Sequence, residues 1–271
     1  MKSGSIGVFD SGVGGLSILA HIRKLLPEEN VLYLADQAHV PYGSRTMRQV
    51  RDFSMGITAY LLSKGAKIIV VACNTASAAA LYDLRKKFPQ IPFVGMEPAV
   101  KPAARTSKSL KVGVLATPAT FQGKLFESVV ERFAQGVEVV EQTLPGLVER
   151  IEENDLDGEG TRTLLNQKIT PLIEMGVDTI VLACTHYAFI IPTIEEMFGS
   201  VVTVIDPSPA IARQTKRLLD ERRLRTEVNK LGEITYISTK NAADLVSIAL
   251  ALIVSEGSPS NLTWEGTQLR E

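Results

Sequence analysis

Residues 70–78 read VVACNTASA and residues 181–189 read VLACTHYAF. Each stretch opens with an apolar run suited to a buried strand. Each then turns, at a cysteine, into small and polar residues of the kind that begin a helix. These are the only two cysteines in the chain. A lone free cysteine is commonly a small buried hydrophobe, and Asn74, Thr75, Thr185 and His186 can serve simply as helix caps. Two cysteines in matching frames predict more: equivalent strand-to-helix junctions in two similar halves.

Outward from these junctions the pattern repeats. Buried-strand signals recur at 6–9, 31–35, 68–72 and 92–96, and again at 111–116, 137–142, 179–184 and 201–205. Helical patterns lie between them, among them Leu16, Leu19, Ile22 and Leu26 ahead of Pro27. Strand alternating with helix predicts an α/β fold of mostly parallel sheets flanked by helices. The Pro- and Ala-rich segment after Met96 suits a crossing between domains. The expected division is a first α/β domain of residues 1–97 plus 207–271 and a second of residues 98–206, with the active site in the cleft between them. The strand at 234–238 reads as isolated and is expected to return to the first unit or to brace both; the tail from Ser255, with Trp264, reads as irregular.

In open parallel sheets, ligands bind beyond the carboxyl ends of the strands. Cys73 and Cys184 are placed there, where helix N-termini favour thiolate. FDSGVGGLS at 9–17 puts Asp10, Ser11 and three glycines before a helix. It matches neither a phosphate-binding Walker loop nor a dinucleotide fingerprint. Asp10 would repel a phosphate, so the loop suits a ligand carrying a positive group beside an anionic one; a plain turn is the alternative. PYGSR at 41–45 holds an aromatic hydroxyl, Tyr42, next to a flexible amide at Gly43, and alone it reads as a surface turn. Thr117 and Thr120 open the first helix of the second half as hydroxyls facing the cleft or as caps. His186, two residues beyond Cys184, is suited to assist a thiol. His21 and His39 read as bystanders, and no second histidine or cysteine stands near either thiol in sequence to suggest a metal site.

Taken together, GVFDSGVGGLS, PYGSR, ACNTASA, ATPAT and ACTHY resemble the glutamate racemases of the aspartate/glutamate racemase superfamily, in that family's order and approximate spacing over most of the chain. The resemblance implies interconversion of L- and D-glutamate without cofactor or metal by opposed cysteines. Cys73 would be the base for D-glutamate and Cys184 the base for L-glutamate, assisted by Asp10 and His186. It places Asp10, Ser11, Tyr42, Gly43, Ser44, Asn74, Thr75, Thr117, Thr120, Thr185 and Glu152 around the substrate. It also implies a homodimer and a role in supplying D-glutamate for peptidoglycan. Where the family commonly has Gly and Pro around the second cysteine, this chain has Ala183 and Ala188, which should alter how the following helix starts. Two alternatives remain: a racemase for aspartate or another amino acid, and a non-catalytic amino-acid sensor.

Composition agrees with a small-molecule ligand. The 29 basic and 30 acidic side chains balance, so no nucleic acid or anionic membrane is expected as a partner. The start lacks a signal-peptide core, and the longest apolar stretch, 245–254, is about half of the roughly 20 residues a spanning helix needs. A cytoplasmic location with reduced thiols is expected.

Overall fold

Two parallel sheets in the computed structural model share one strand order. Strands β1 (Ser5–Asp10), β2 (Val31–Ala35), β3 (Ala66–Val71) and β4 (Phe93–Gly95) run in the order β2-β1-β3-β4. Strands β5 (Lys111–Ala116), β6 (Glu138–Thr143), β7 (Thr179–Ala183) and β8 (Thr203–Ile205) repeat it as β6-β5-β7-β8. Every pairing in both sheets is parallel. The inner strands β3 and β7 are buried along their whole length, as expected when helices cover both faces. The structure describes residues 3–253 and 255–270; Met1, Lys2, Val254 and Glu271, all within the expected first domain, lie outside the described residues.

The order explains the two cysteine frames. From β1 the chain moves to one side to form β2 and then crosses to the other side for β3, which opens a crevice at the carboxyl ends of β1 and β3. Asp10 ends β1 and Cys73 follows β3; Thr117 follows β5 and Cys184 follows β7. The larger sheet takes its strands from residues 5–95 and 234–261, the smaller from 111–205.

The segment at 234–238 is not isolated. As β9 (Ile234–Ser238) it pairs with β2, and β10 (Ser258–Asn261) pairs beyond it. The tail is not irregular either: β11 (Thr263–Glu265) and β12 (Gln268–Arg270) form an antiparallel hairpin that packs on the helix Met47–Ser63. Ser-Pro-Ser-Asn has no strand-forming side chains; the exposed edge of β9 imposes the strand, and an edge is where a proline is tolerated.

The helix Leu16–Leu25 buries Leu16, Leu19 and Ile22 and packs against the returning helix Ser208–Glu221. A capping box, with Thr46 and Gln49 satisfying each other's backbone N–H, starts the helix Met47–Ser63. The helix Asn74–Lys87 starts at Cys73 and ends in Arg85, Lys86 and Lys87, charges favoured at a helix C-terminus. One apolar cluster runs from Ile6 and Leu16 to Leu115, Leu182 and Ile211, joining the halves beneath the cleft. Among the described residues no helix is long and apolar enough to cross a membrane.

Candidate active site

The strand ends meet around a small cavity with both cysteines in its wall. On the first unit's side, Cys73 caps its helix by accepting the Ala76 N–H at 3.4 Å. Beside it the fully buried Asp10 accepts the Gly15 N–H at 2.6 Å and the Thr185 hydroxyl at 3.3 Å. The expectation of an easily formed thiolate fails here. Burial first, and the Asp10 carboxylate second, push the Cys73 thiol well above its usual range, and the Ala76 N–H offsets only part of this. Burial likewise raises Asp10, against the pull of His186. A helix N-terminus is outweighed when its thiol is dry and faces a carboxylate.

The second unit is built differently. Cys184 precedes a 3-10 turn, Thr185–Ile190, and the α-helix begins only at Ile191. Its Sγ lies 3.9 Å from His186 Nδ1, and His186 Nε2 lies 2.6 Å from Glu152 Oε1. Burial disfavours the imidazolium, but Cys184 and Glu152 together overcome that and hold the His186 pKa well above its ordinary value. Glu152 is lowered: its burial cost is exceeded by hydrogen bonds from His186, from the Val13 N–H at 2.7 Å and from Gln37. Both shifts favour the charged forms, an imidazolium facing a carboxylate beside the Cys184 sulfur.

The three glycines in 9–17 are each explained by close packing. A Cβ on Gly12 would overlap the Glu152 carboxylate, and one on Gly14 would stand 2.6 Å from both His186 Nδ1 and Thr185 Oγ1. On Gly15 it would sit 2.9 Å from Asp10 Cβ. Gly12 and Gly14 are glycines because the opposite unit's side chains press onto their backbone, and Gly15 because Asp10, Tyr33 and Ala72 of its own unit do.

Ser11, Tyr42, Gly43, Asn74, Thr75, Thr117 and Thr185 share the cavity wall with the cysteines. Thr120 sits behind it: its hydroxyl joins those of Thr75 and Thr117 in a triangle of 2.9, 3.1 and 3.2 Å contacts across the cleft. Ser44 faces outward, donating to the Pro41 carbonyl and lining a neighbouring pocket of about 190 Å³. The Tyr42 hydroxyl is committed to Asp36 at 2.6 Å. Asn74 differs from all of these. It is buried in the wall, yet neither polar atom of its carboxamide has a hydrogen-bond partner. An orphaned amide lining a cavity fits a polar ligand that supplies the missing bonds.

Residues 7–215 match the Asp/Glu/hydantoin racemase family. A glutamate racemase of a Roseiflexus species is 53% identical over 86% of both chains, and one of Pseudomonas aeruginosa is 50% identical over 83% of this chain and 84% of that one. The chain is a member of the glutamate racemase family. Among solved glutamate racemases, an isoform from Bacillus anthracis superposes with a TM-score of 0.88 at 28% identity, covering 99% of this chain and 100% of the other. That of Francisella tularensis, solved with D-glutamate, gives 0.84 at 26% identity over 98% of both.

One buried carboxylate behind the cavity wall escapes the sequence motifs. Asp36, fully buried at the end of β2, accepts from Tyr42, Thr239 and Trp264 and contacts the ring of His39. A carboxylate directly after a strand of a parallel sheet is a signal in itself; its partners, from distant parts of the chain, are not.

Proposed function

We propose that this racemase interconverts L- and D-glutamate by passing the α-proton between Cys73 and Cys184, without cofactor or metal. The observation that carries the reading is the pair of thiols in one cavity wall, each delivered by the equivalent strand of a repeated unit. Inverting a stereocentre by proton transfer requires a base on one face and an acid on the other. From D-glutamate, the Cys73 thiolate takes the α-proton and the C–H electron pair passes to the α-carbon and its carboxylate. The Cys184 S–H then donates to the opposite face and is left as thiolate. The high pKa of Cys73 leaves less thiolate but makes it a stronger base toward a weakly acidic carbon. Asp10 assists Cys73, and the His186–Glu152 pair assists Cys184. Ser11, Asn74, Thr75, Thr117, Thr120, Thr185 and the Tyr42–Ser44 loop bind the substrate.

The same reading divides the chain at 97/98 and 206/207, and makes it a cytoplasmic homodimer whose D-glutamate feeds peptidoglycan synthesis. Support for these comes from the family resemblance.

The test is incubation with L-glutamate in deuterium oxide, following optical activity and loss of the α-hydrogen signal. Wild type should racemise with deuterium uptake, and Cys73→Ser and Cys184→Ser should each abolish racemisation. Binding of glutamate with no exchange at the α-carbon would leave only a sensor, and activity confined to aspartate would move the substrate assignment.

A further inference from the structure

The wall of the cavity formed by Pro41–Gly43 meets the second unit directly, since a Cβ on Gly43 would stand 2.6 Å from Thr117 Cβ. What holds this lip in place comes from the other end of the sequence. The Asp36 carboxylate receives the Tyr42 hydroxyl on Oδ2 at 2.6 Å and the Trp264 indole N–H on Oδ1 at 2.7 Å. Thr239, just past β9, donates to Oδ1 at 2.9 Å. Around these bonds His39 stacks on Phe53 at 3.9 Å between ring centres, and the indole of Trp264 meets both rings at 5.5–5.6 Å. Tyr42 leans on Phe53 from the other side at 5.8 Å.

We propose that Asp36 is a positioning residue through which the C-terminal hairpin sets the substrate-binding lip at Pro41–Gly43. A buried carboxylate has to be satisfied by hydrogen bonds, and here its two oxygens are shared between the lip and the hairpin. Without the Trp264 N–H, Oδ1 keeps only Thr239 as a close donor, and the carboxylate is free to rotate away from Tyr42. The proton-transferring thiols stand just past β3 and β7, outside this network, so the network acts on substrate capture rather than on the chemical step.

The inference rests on the glutamate reading of the cleft, and kinetics separate the two. Trp264→Phe keeps a ring in the aromatic cluster and removes only the N–H; Tyr42→Phe removes the other end of the relay. Each should raise the KM for glutamate about 5- to 10-fold with kcat within about twofold, the signature of lost uniform binding. Because both act through one carboxylate, the double variant should show nearly the same KM as either single one. Asp36→Asn should follow the same pattern, and Trp264→Phe carries the test if Asp36→Asn does not fold. Simple destabilisation would instead cut the active fraction, lowering apparent kcat with KM unmoved; that result, or additive effects in the double variant, overturns the proposal. Wild type inert toward glutamate would sink the racemase reading itself, and the lip's role with it.

Discussion

Oε1 of Glu152 accepts from two sides at once, 2.6 Å from His186 Nε2 and 2.7 Å from the Val13 backbone N–H. Glu152 and His186 belong to the half that carries Cys184, Val13 to the glycine loop of the half that carries Cys73. One carboxylate oxygen thus orients the imidazole behind one thiol and pins the loop beside the other.

Removing that charge should be costly over a defined pH range. Glu152 has its pKa lowered in the folded protein, so its contribution is present above the unfolded value near 4.5 and fades as pH falls below it. His186 has its pKa raised, so its contribution is complete below 6.5 and fades as pH climbs through the higher folded value. Glu152→Gln should therefore lose about 3 kcal/mol of unfolding free energy between these limits, typical of a broken buried pair. Urea titrations at several pH values should find the deficit near neutrality and little of it at pH ~3.

Gly14→Ala inserts a methyl group where His186 and Thr185 already crowd the backbone. Overpacking of this kind costs about 1–3 kcal/mol, and the imidazole is what has to give way. Racemisation starting from L-glutamate should fall by about 100-fold, the scale of a displaced acid–base group. Gly136→Ala, at an open turn with φ +76, should affect stability alone. Equal loss of activity in both variants would mean that the close approach at Gly14 is not needed.

Asn74→Ala should separate binding from folding. The carboxamide is unpaired without ligand, so its removal should leave thermal stability unchanged or raise it by up to about 1 kcal/mol. The KM for glutamate should rise about 10-fold or more. An unchanged KM would show that the substrate does not use this amide.

Asp10→Asn tests the electrostatics of Cys73. The carboxylate is one of the groups that raise the thiol, so neutralising it should shift the ascending limb of the pH profile of kcat from D-glutamate to lower pH. The kcat profile from L-glutamate should move less in that limb, while kcat/KM shifts equally in the two directions. A shift toward higher pH would assign the carboxylate the opposite electrostatic role.

Much of this site is legible in local sequence because its key groups follow strands. An apolar run that ends in Cys-Asn-Thr or Cys-Thr-His marks both the end of a buried strand and the chemistry attached to it. Asp10 and Thr117 are legible for the same reason. The purpose of Gly12 and Gly14 is not, since it depends on side chains about 140 to 170 positions away that only folding brings near. The thiol's basicity is misjudged from sequence because the helix terminus is visible there while burial and the Asp10 charge are not. Trp264 and Ser258–Asn261 read as loose tail because their order comes from the edge of β9 and from Asp36, long-range partners that leave no local pattern.

The unequal settings of the two cysteines have a thermodynamic limit. Enantiomers have equal free energies in water, so under the proposed reaction kcat/KM has to be identical in the two directions whatever stands beside each thiol. A carboxylate and a backbone N–H flank Cys73, an imidazole flanks Cys184, and this chemical difference can appear only as paired changes in kcat and KM. An enantiomer captured more tightly is then necessarily turned over more slowly than its mirror image. The asymmetry decides at which concentrations each direction saturates and never which enantiomer prevails.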